Sequence, residues 1–98
     1  MTSERTGIAG SLESCDALVM VILSSGAEAP EVEIDGPSLP AFGDSMKIAA
    51  LETARSLGIT GCRIRVQDRG ALDCTLRARV ETAARRALAG PGEMREVK

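Results

Sequence analysis

In this chain of 98 residues, Ser14 is the side chain best prepared for chemistry. It lies in Gly10-Ser-Leu-Glu-Ser-Cys-Asp16, between two short apolar runs, Thr6 to Gly10 and Ala17 to Leu23. A short polar link between two strand-like runs predicts a hairpin turn, whose side chains project into solvent. A hydroxyl placed there is open to an external transferase and rests on a firm base. Such a serine is well placed to carry something, although an exposed serine between strands usually does no more than favour the turn. Glu13 and Asp16 flank the serine; they favour the turn, keep it solvated, and offer charge to a modifying enzyme.

The other reactive side chains have simpler explanations. Gly43-Asp44-Ser45-Met46 resembles the Asp-Ser-Leu motif of ordinary phosphopantetheine carriers. Those carriers are nearly all-helical, whereas three strand-like runs precede Ser45, so Asp44 and Ser45 read as helix N-caps. Asp68 and Asp73 form a conceivable carboxylate pair, but Asp68 suits a turn and Asp73 suits the positive end of a helix. Cys74 near that helix start has the setting for a reactive thiol, although a small buried apolar role accounts for it. Cys15, beside Ser14 and expected to be exposed, is the thiol open to oxidation.

Composition narrows the function classes. There is no histidine, which removes the commonest general base and the commonest metal ligand. Three cysteines with no Cys-x-x-Cys spacing speak against a zinc site or a disulfide framework and suit a reducing cytoplasm. A formal net charge of −2 and a pI near 5.1 argue against nucleic-acid binding. Arg77, Arg79, Arg85 and Arg86 read as the outer face of an amphipathic helix. The N-terminus has no apolar h-region, and Ala17 to Leu23 is too short to span a bilayer. A soluble cytoplasmic protein without a membrane partner is expected.

The elements that must position Ser14 follow in order. Thr6–Gly10 is a first strand. Ala17–Leu23, unbroken in its apolar character, is expected to be a central strand covered on both faces. Glu31–Asp35 alternates, with Val32 and Ile34 inward, as a near-edge strand does. After the Pro- and Gly-bearing link Gly36 to Gly43, a helix is expected from Asp44 or Ser45 to about Leu57, burying Met46, Ala50, Ala54 and Leu57 and ending at Gly58. Gly61–Asp68 alternates Cys62, Ile64 and Val66 against Arg63, Arg65 and Gln67 as a fourth strand. A last helix buries Leu72, Leu76, Val80, Ala83 and Ala87, carries an Arg77–Glu81 pair, and stops at Gly90-Pro91-Gly92. The order β-β-β-α-β-α predicts an α+β fold: a small, mostly antiparallel sheet with two helices on one face. One domain spans 1–98, with an ordered core of about 6–90 and a mobile tail at 91–98.

Two stretches together carry a family resemblance. Ala9 through Asp16 resembles the pattern Ala-Gly-Thr-Leu-Glu-Ser-Gly-Asp, and Gly70 through Arg79 resembles Gly-Ala-Leu-Asp-Cys-x-Leu-Arg-Ala-Arg, both of the acyl carrier (gamma) subunit of citrate lyase. The Phe42-Gly43-Asp44 entry to the middle helix is also similar. Ser11 keeps the hydroxyl of the threonine, whereas Cys15 replaces a glycine, which puts the local turn geometry at issue.

The resemblance implies a non-catalytic carrier with phosphoribosyl dephospho-coenzyme A joined to Ser14 through a phosphodiester. It also implies partners: the transferase (alpha) and lyase (beta) subunits, a prosthetic-group transferase, and an acetate ligase acting on the arm thiol. The arm would hold acetyl and citryl thioesters while citrate is cleaved to acetate and oxaloacetate. The absence of histidine and of an acid–base pair agrees with a carrier but does not name its acyl group. Alternatives are the carrier of malonate decarboxylase or citramalate lyase, and an unmodified interaction module whose helix arginines meet an acidic partner.

Overall fold

The computed structural model describes residues 4–24 and 30–89. The expected mobile tail at 91–98, and the Gly90-Pro91-Gly92 stop before it, lie outside the described residues, as does 25–29 of the second loop. Four strands and two helices follow one another as β1 (Glu4–Gly10), β2 (Ala17–Ser24), β3 (Glu31–Asp35), α1 (Leu39–Ser56), β4 (Cys62–Asp68) and α2 (Asp73–Ala89). The sheet order is β1-β2-β4-β3. β2 runs antiparallel to β1 and to β4, while β3 is parallel to β4. The sheet is therefore mixed. The parallel pair arises because α1 is a crossover that returns the chain to the end from which β3 began.

Both helices cover the same face of this sheet. α2 lies over β1 and β2, and α1 packs against α2 and β3. Ala9, Val19, Val21, Ile64 and Val66 point into the core from the sheet and meet Met46, Ala50 and Ala54 of α1 and Leu76, Val80 and Ala84 of α2. Each fully buried Leu, Ile or Val contributes about 1.5–3 kcal/mol. With alanine as its commonest member, this core lets the elements approach closely rather than filling a wide gap.

β2 is central, as its composition implied, but it is covered on one face only. Leu18, Met20 and Ile22 are half-buried on the opposite, open face, beside Ile8. Arg63–Glu31 and Arg65–Glu33 pairs continue that face across β4 and β3. An apolar run reads as doubly covered even when its second side merely lies under neighbouring side chains.

α1 begins earlier than its sequence suggests. Ser38 is the N-cap, Pro40 sits in the first turn, and Gly43 lies inside the helix. Pro is preorganised for a helix start and breaks one only further in, so the link Gly36–Gly43 is partly helical. Asp44 and Ser45 are not caps; the Ser45 hydroxyl donates to the Phe42 carbonyl at 3.5 Å. The far end agrees with expectation. Gly58 has φ 77°, the Gly58 and Ile59 amides donate to the carbonyls of Arg55 and Ala54, and the helix closes in a Schellman motif.

In α2 the buried stripe is Leu76, Val80, Ala83, Ala84 and Ala87. Leu72 precedes the helix and is 68% exposed, so it does not belong to the stripe. Arg77 pairs with Asp73 and with Glu52 of α1, not with Glu81, which takes Arg85. A residue four positions N-terminal supplies the acid in each case, the favoured orientation on a helix.

Candidate functional site

Asp16 organises the turn that carries Ser14. Its Oδ1 accepts from the Ala17 amide at 2.7 Å and from Arg79 Nε at 2.8 Å. Its Oδ2 accepts from the Ser11 hydroxyl at 2.7 Å and from Arg79 Nη2 at 3.1 Å. The guanidinium and carboxylate thus meet as a two-pronged pair joining the hairpin to α2. Ser11 in turn accepts from the Glu13 amide at 3.2 Å. The Arg79 hydrogen bond, with help from Ser11 and Ala17, holds the Asp16 carboxyl well below the usual carboxylate range.

Backbone contacts fasten the turn a second time. The Asp16 amide donates to the Glu13 carbonyl at 3.1 Å, leaving Ser14 and Cys15 as its central residues. The Cys15 amide donates to the Arg69 carbonyl at 2.8 Å, and the Arg69 amide to the Asp16 carbonyl at 2.9 Å. Two hairpin residues therefore oppose one residue after β4, with the first of them at φ 67°. This is the arrangement of a G1 bulge, whose first position normally takes glycine. The carbon substituent of Cys15 is tolerated at a cost of about 1–2 kcal/mol for a left-handed residue. Cys15→Gly is expected to stabilise the fold by about 0.5–1 kcal/mol once glycine's extra unfolded-state entropy is set against that strain, read as a higher urea midpoint with an unchanged slope.

Ser14 stands at the apex of this doubly fastened turn. It is exposed, and its hydroxyl makes no hydrogen bond among the described residues, so nothing in the turn depends on it. Cys15 is likewise exposed. Glu13 contributes its carbonyl to the turn and leaves its side chain in solvent.

The remaining candidates separate from the serine. Asp68 is fully buried at the end of β4; its carboxylate accepts from the Ser38 amide at 3.3 Å and the Ala71 amide at 3.0 Å. Burial alone would raise this carboxyl, but hydrogen bonds from Ser38, Ala71 and Gly70 outweigh it and lower it. Asp68 thereby ties the start of α1 to the turn before α2. Asp73 opens α2, as expected, and holds Arg77. Cys74 is exposed, which corrects its expected burial: it falls on the outer side of the first helical turn. Burial pushes the Cys62 thiol up. No cluster able to hold a metal ion occurs among the described residues.

Arg79 is the residue whose role a linear reading misses. Its motif position was visible, but its partner lies 63 positions away, and no local spacing pairs them. Because Asp16 and Asp68 are both depressed in the folded chain, each contributes stability that is fully present above the unfolded carboxylate value of about 4. That contribution is lost as pH falls through the folded values. The melting temperature should therefore drop on acidification below pH 4, and Asp16→Asn should give a visibly shallower drop.

Among the described residues, no helix is long and apolar enough to cross a membrane. Comparison with known proteins gives a consistent picture. The family described as Malonate decarboxylase delta subunit (MdcD) matches residues 4–87. A citrate lyase acyl carrier protein of Haemophilus influenzae (strain PittEE) is 39% identical over 87 residues, which cover 89% of this chain and 88% of that protein. Those of Lactiplantibacillus plantarum and Lactobacillus helveticus are 35% identical over 90% of each chain and 32% identical over 89% and 88%. No solved structure matches the chain.

Proposed function

The chain belongs to the acyl carrier family that contains the citrate lyase acyl carrier proteins and the malonate decarboxylase delta subunit, and on that premise we propose that Ser14 carries its prosthetic group. The observation that carries the reading is an exposed hydroxyl, free of hydrogen bonds among the described residues, on a turn clamped through Asp16–Arg79 and through Arg69. A carrier needs a mobile arm on an immobile base, and here the base does not use the atom that the arm would replace.

The turn fits phosphoribosyl dephospho-coenzyme A joined through a phosphodiester: its apex is open to a transferase, and attachment disrupts no existing contact. When bound, such a group supplies a terminal thiol that holds an acyl group as a thioester. The chain's own contribution is to position the tether and to exclude neighbouring hydroxyls, since Ser11 is committed to Asp16. It is a carrier subunit of citrate lyase, not a catalyst, and it presents the arm to the transferase and lyase subunits in turn. Tethering raises the local concentration of the intermediate to the millimolar range for a short flexible linker. A prosthetic-group transferase and an acetate ligase acting on the arm thiol complete the set of partners. Three unpaired thiols agree with a cytoplasmic setting.

Carriage for malonate decarboxylase is the second reading, favoured by the description of the matching family. The test is the intact mass of the protein purified from its native host during growth on citrate. An added mass equal to phosphoribosyl dephospho-coenzyme A supports the carrier; an unmodified chain overturns it. Loading that occurs on malonate and not on citrate favours the second reading.

A further inference from the structure

The end of the molecule that presents Ser14 also carries a cleft that the carrier reading leaves without a role. It opens between the first turns of α1 and the approach to α2, has a volume of about 360 Å³, and is lined by Phe42, Ser45, Met46, Leu72, Asp73 and Leu76 among others. Phe42 is 60% exposed and Leu72 68%, the two most exposed large apolar side chains among the described residues. Both sit at this one cleft. Phe42 is also the only aromatic residue of the chain.

The cleft is joined to the turn by one hydrogen bond and one peptide link. The Cys15 amide is hydrogen-bonded to the Arg69 carbonyl, and Gly70, the next residue, lines the cleft. A group hung from Ser14 therefore begins its path within a few residues of the cleft mouth. The space is at the small end of the roughly 300–1,000 Å³ typical of small-molecule sites. Two exposed apolar side chains fall far short of the roughly 800 Å² that a stable protein interface buries on each partner. Polar atoms at the rim suit a heterocycle that offers an amine: Asp73 gives one oxygen to Arg77 and keeps the other without a partner among the described residues, and the Ser45 hydroxyl lies on the opposite wall.

Resting on the carrier reading of Ser14, we propose that this cleft is the docking place of the arm's own adenosine, with the adenine against the Phe42 ring and the Leu72 side chain and its amine toward Asp73. The arm then has two positions: folded down, with its nucleotide end held, and released toward an active site. Stacking of a base on an aromatic ring favours the folded position and, being a single contact, leaves release easy.

The composition makes the test direct. With no histidine, tryptophan or tyrosine and one phenylalanine, the aromatic carbon-bound proton signals of the loaded protein are those of Phe42 and of adenine H2 and H8. In the isotope-labelled protein carrying its adduct, confirmed by intact mass, the Phe42 ring and Leu72 methyl resonances should shift from their unloaded positions. Cross-peaks should join both to adenine H2 or H8. Phe42→Ala should keep the adduct mass and return the adenine signals to those of free dephospho-coenzyme A. Resonances that coincide in the loaded and unloaded protein overturn the proposal while leaving the Ser14 reading intact; absence of any adduct overturns both. Signals that stay in place on loading and move only when the transferase or lyase subunit is added overturn it in favour of protein docking at the cleft.

Discussion

Replacing Ser14 with alanine is expected to abolish covalent loading completely, with the intact mass staying at that of the bare chain under conditions that fully load the parent. Stability should change by no more than about 0.5 kcal/mol, as for exposed positions without a structural role. The reason lies in how the turn is built. Its hydrogen bonds run through the Asp16 amide and carboxylate, the Cys15 amide and the Arg69 backbone, and none uses the Ser14 hydroxyl.

Ser11→Ala should behave in the opposite way. It removes the donor at 2.7 Å from Asp16 and weakens the turn, yet it leaves the Ser14 hydroxyl in place, so loading is expected to persist. Ser45→Ala should also load normally, because that residue lies within α1 and not at a carrier-type helix start. An adduct that survives Ser14→Ala and disappears in Ser45→Ala would move the attachment site to the helix and remove the basis for the tether geometry.

The second large effect concerns a residue remote from any chemistry. Gly7→Val is expected to destabilise the fold by about 3 kcal/mol or more, read as a large fall in the urea midpoint, and Gly7→Ala by about 2–3 kcal/mol. Gly7 lies in β1 where α2 passes over it, and a Cβ there would run into the Ala83 carbonyl oxygen and the Ala87 amide nitrogen. These are backbone atoms of a helix, which cannot turn aside as a side chain can. The helix must lift from the sheet, and Leu76, Val80, Ala83 and Ala87 lose contact together. For a chain of this size the total stability is on the order of 5–15 kcal/mol, so the valine variant should lose between about a fifth and three-fifths of it. Loading should fall with it, because lifting α2 also withdraws Arg79 from Asp16. A Gly7→Ala protein with unchanged stability would show that α2 sits further from β1 than its contacts indicate.

These two substitutions divide the fold by what is legible in a linear chain. Period and punctuation suffice for the element order, since alternation in Gly61–Asp68 and Glu31–Asp35, the apolar run Ala17–Leu23 and Gly58 each act within a few residues. The resemblance of Ala9–Asp16 and Gly70–Arg79 to a carrier family was carried by side chains in fixed local order, and so was the candidacy of Ser14. The start of α1 was misplaced because Pro40 and Gly43 read as a link, although proline in a first helical turn and a glycine tolerated within the helix give the same letters.

What the sequence by itself determined was therefore local: strands, helices and the turn that exposes the Ser14 hydroxyl, each set by backbone preference and by spacing along the chain. Tertiary structure decided the rest. The parallel placement of β3 beside β4, the single coverage of β2, the pairing of Arg79 with Asp16 and the exposure of Leu72 and Cys74 all depend on which surfaces meet after α1 crosses over. Contacts between residues tens of positions apart form only when burial of the shared core brings their elements together, and that burial energy is not written in any short stretch of chain.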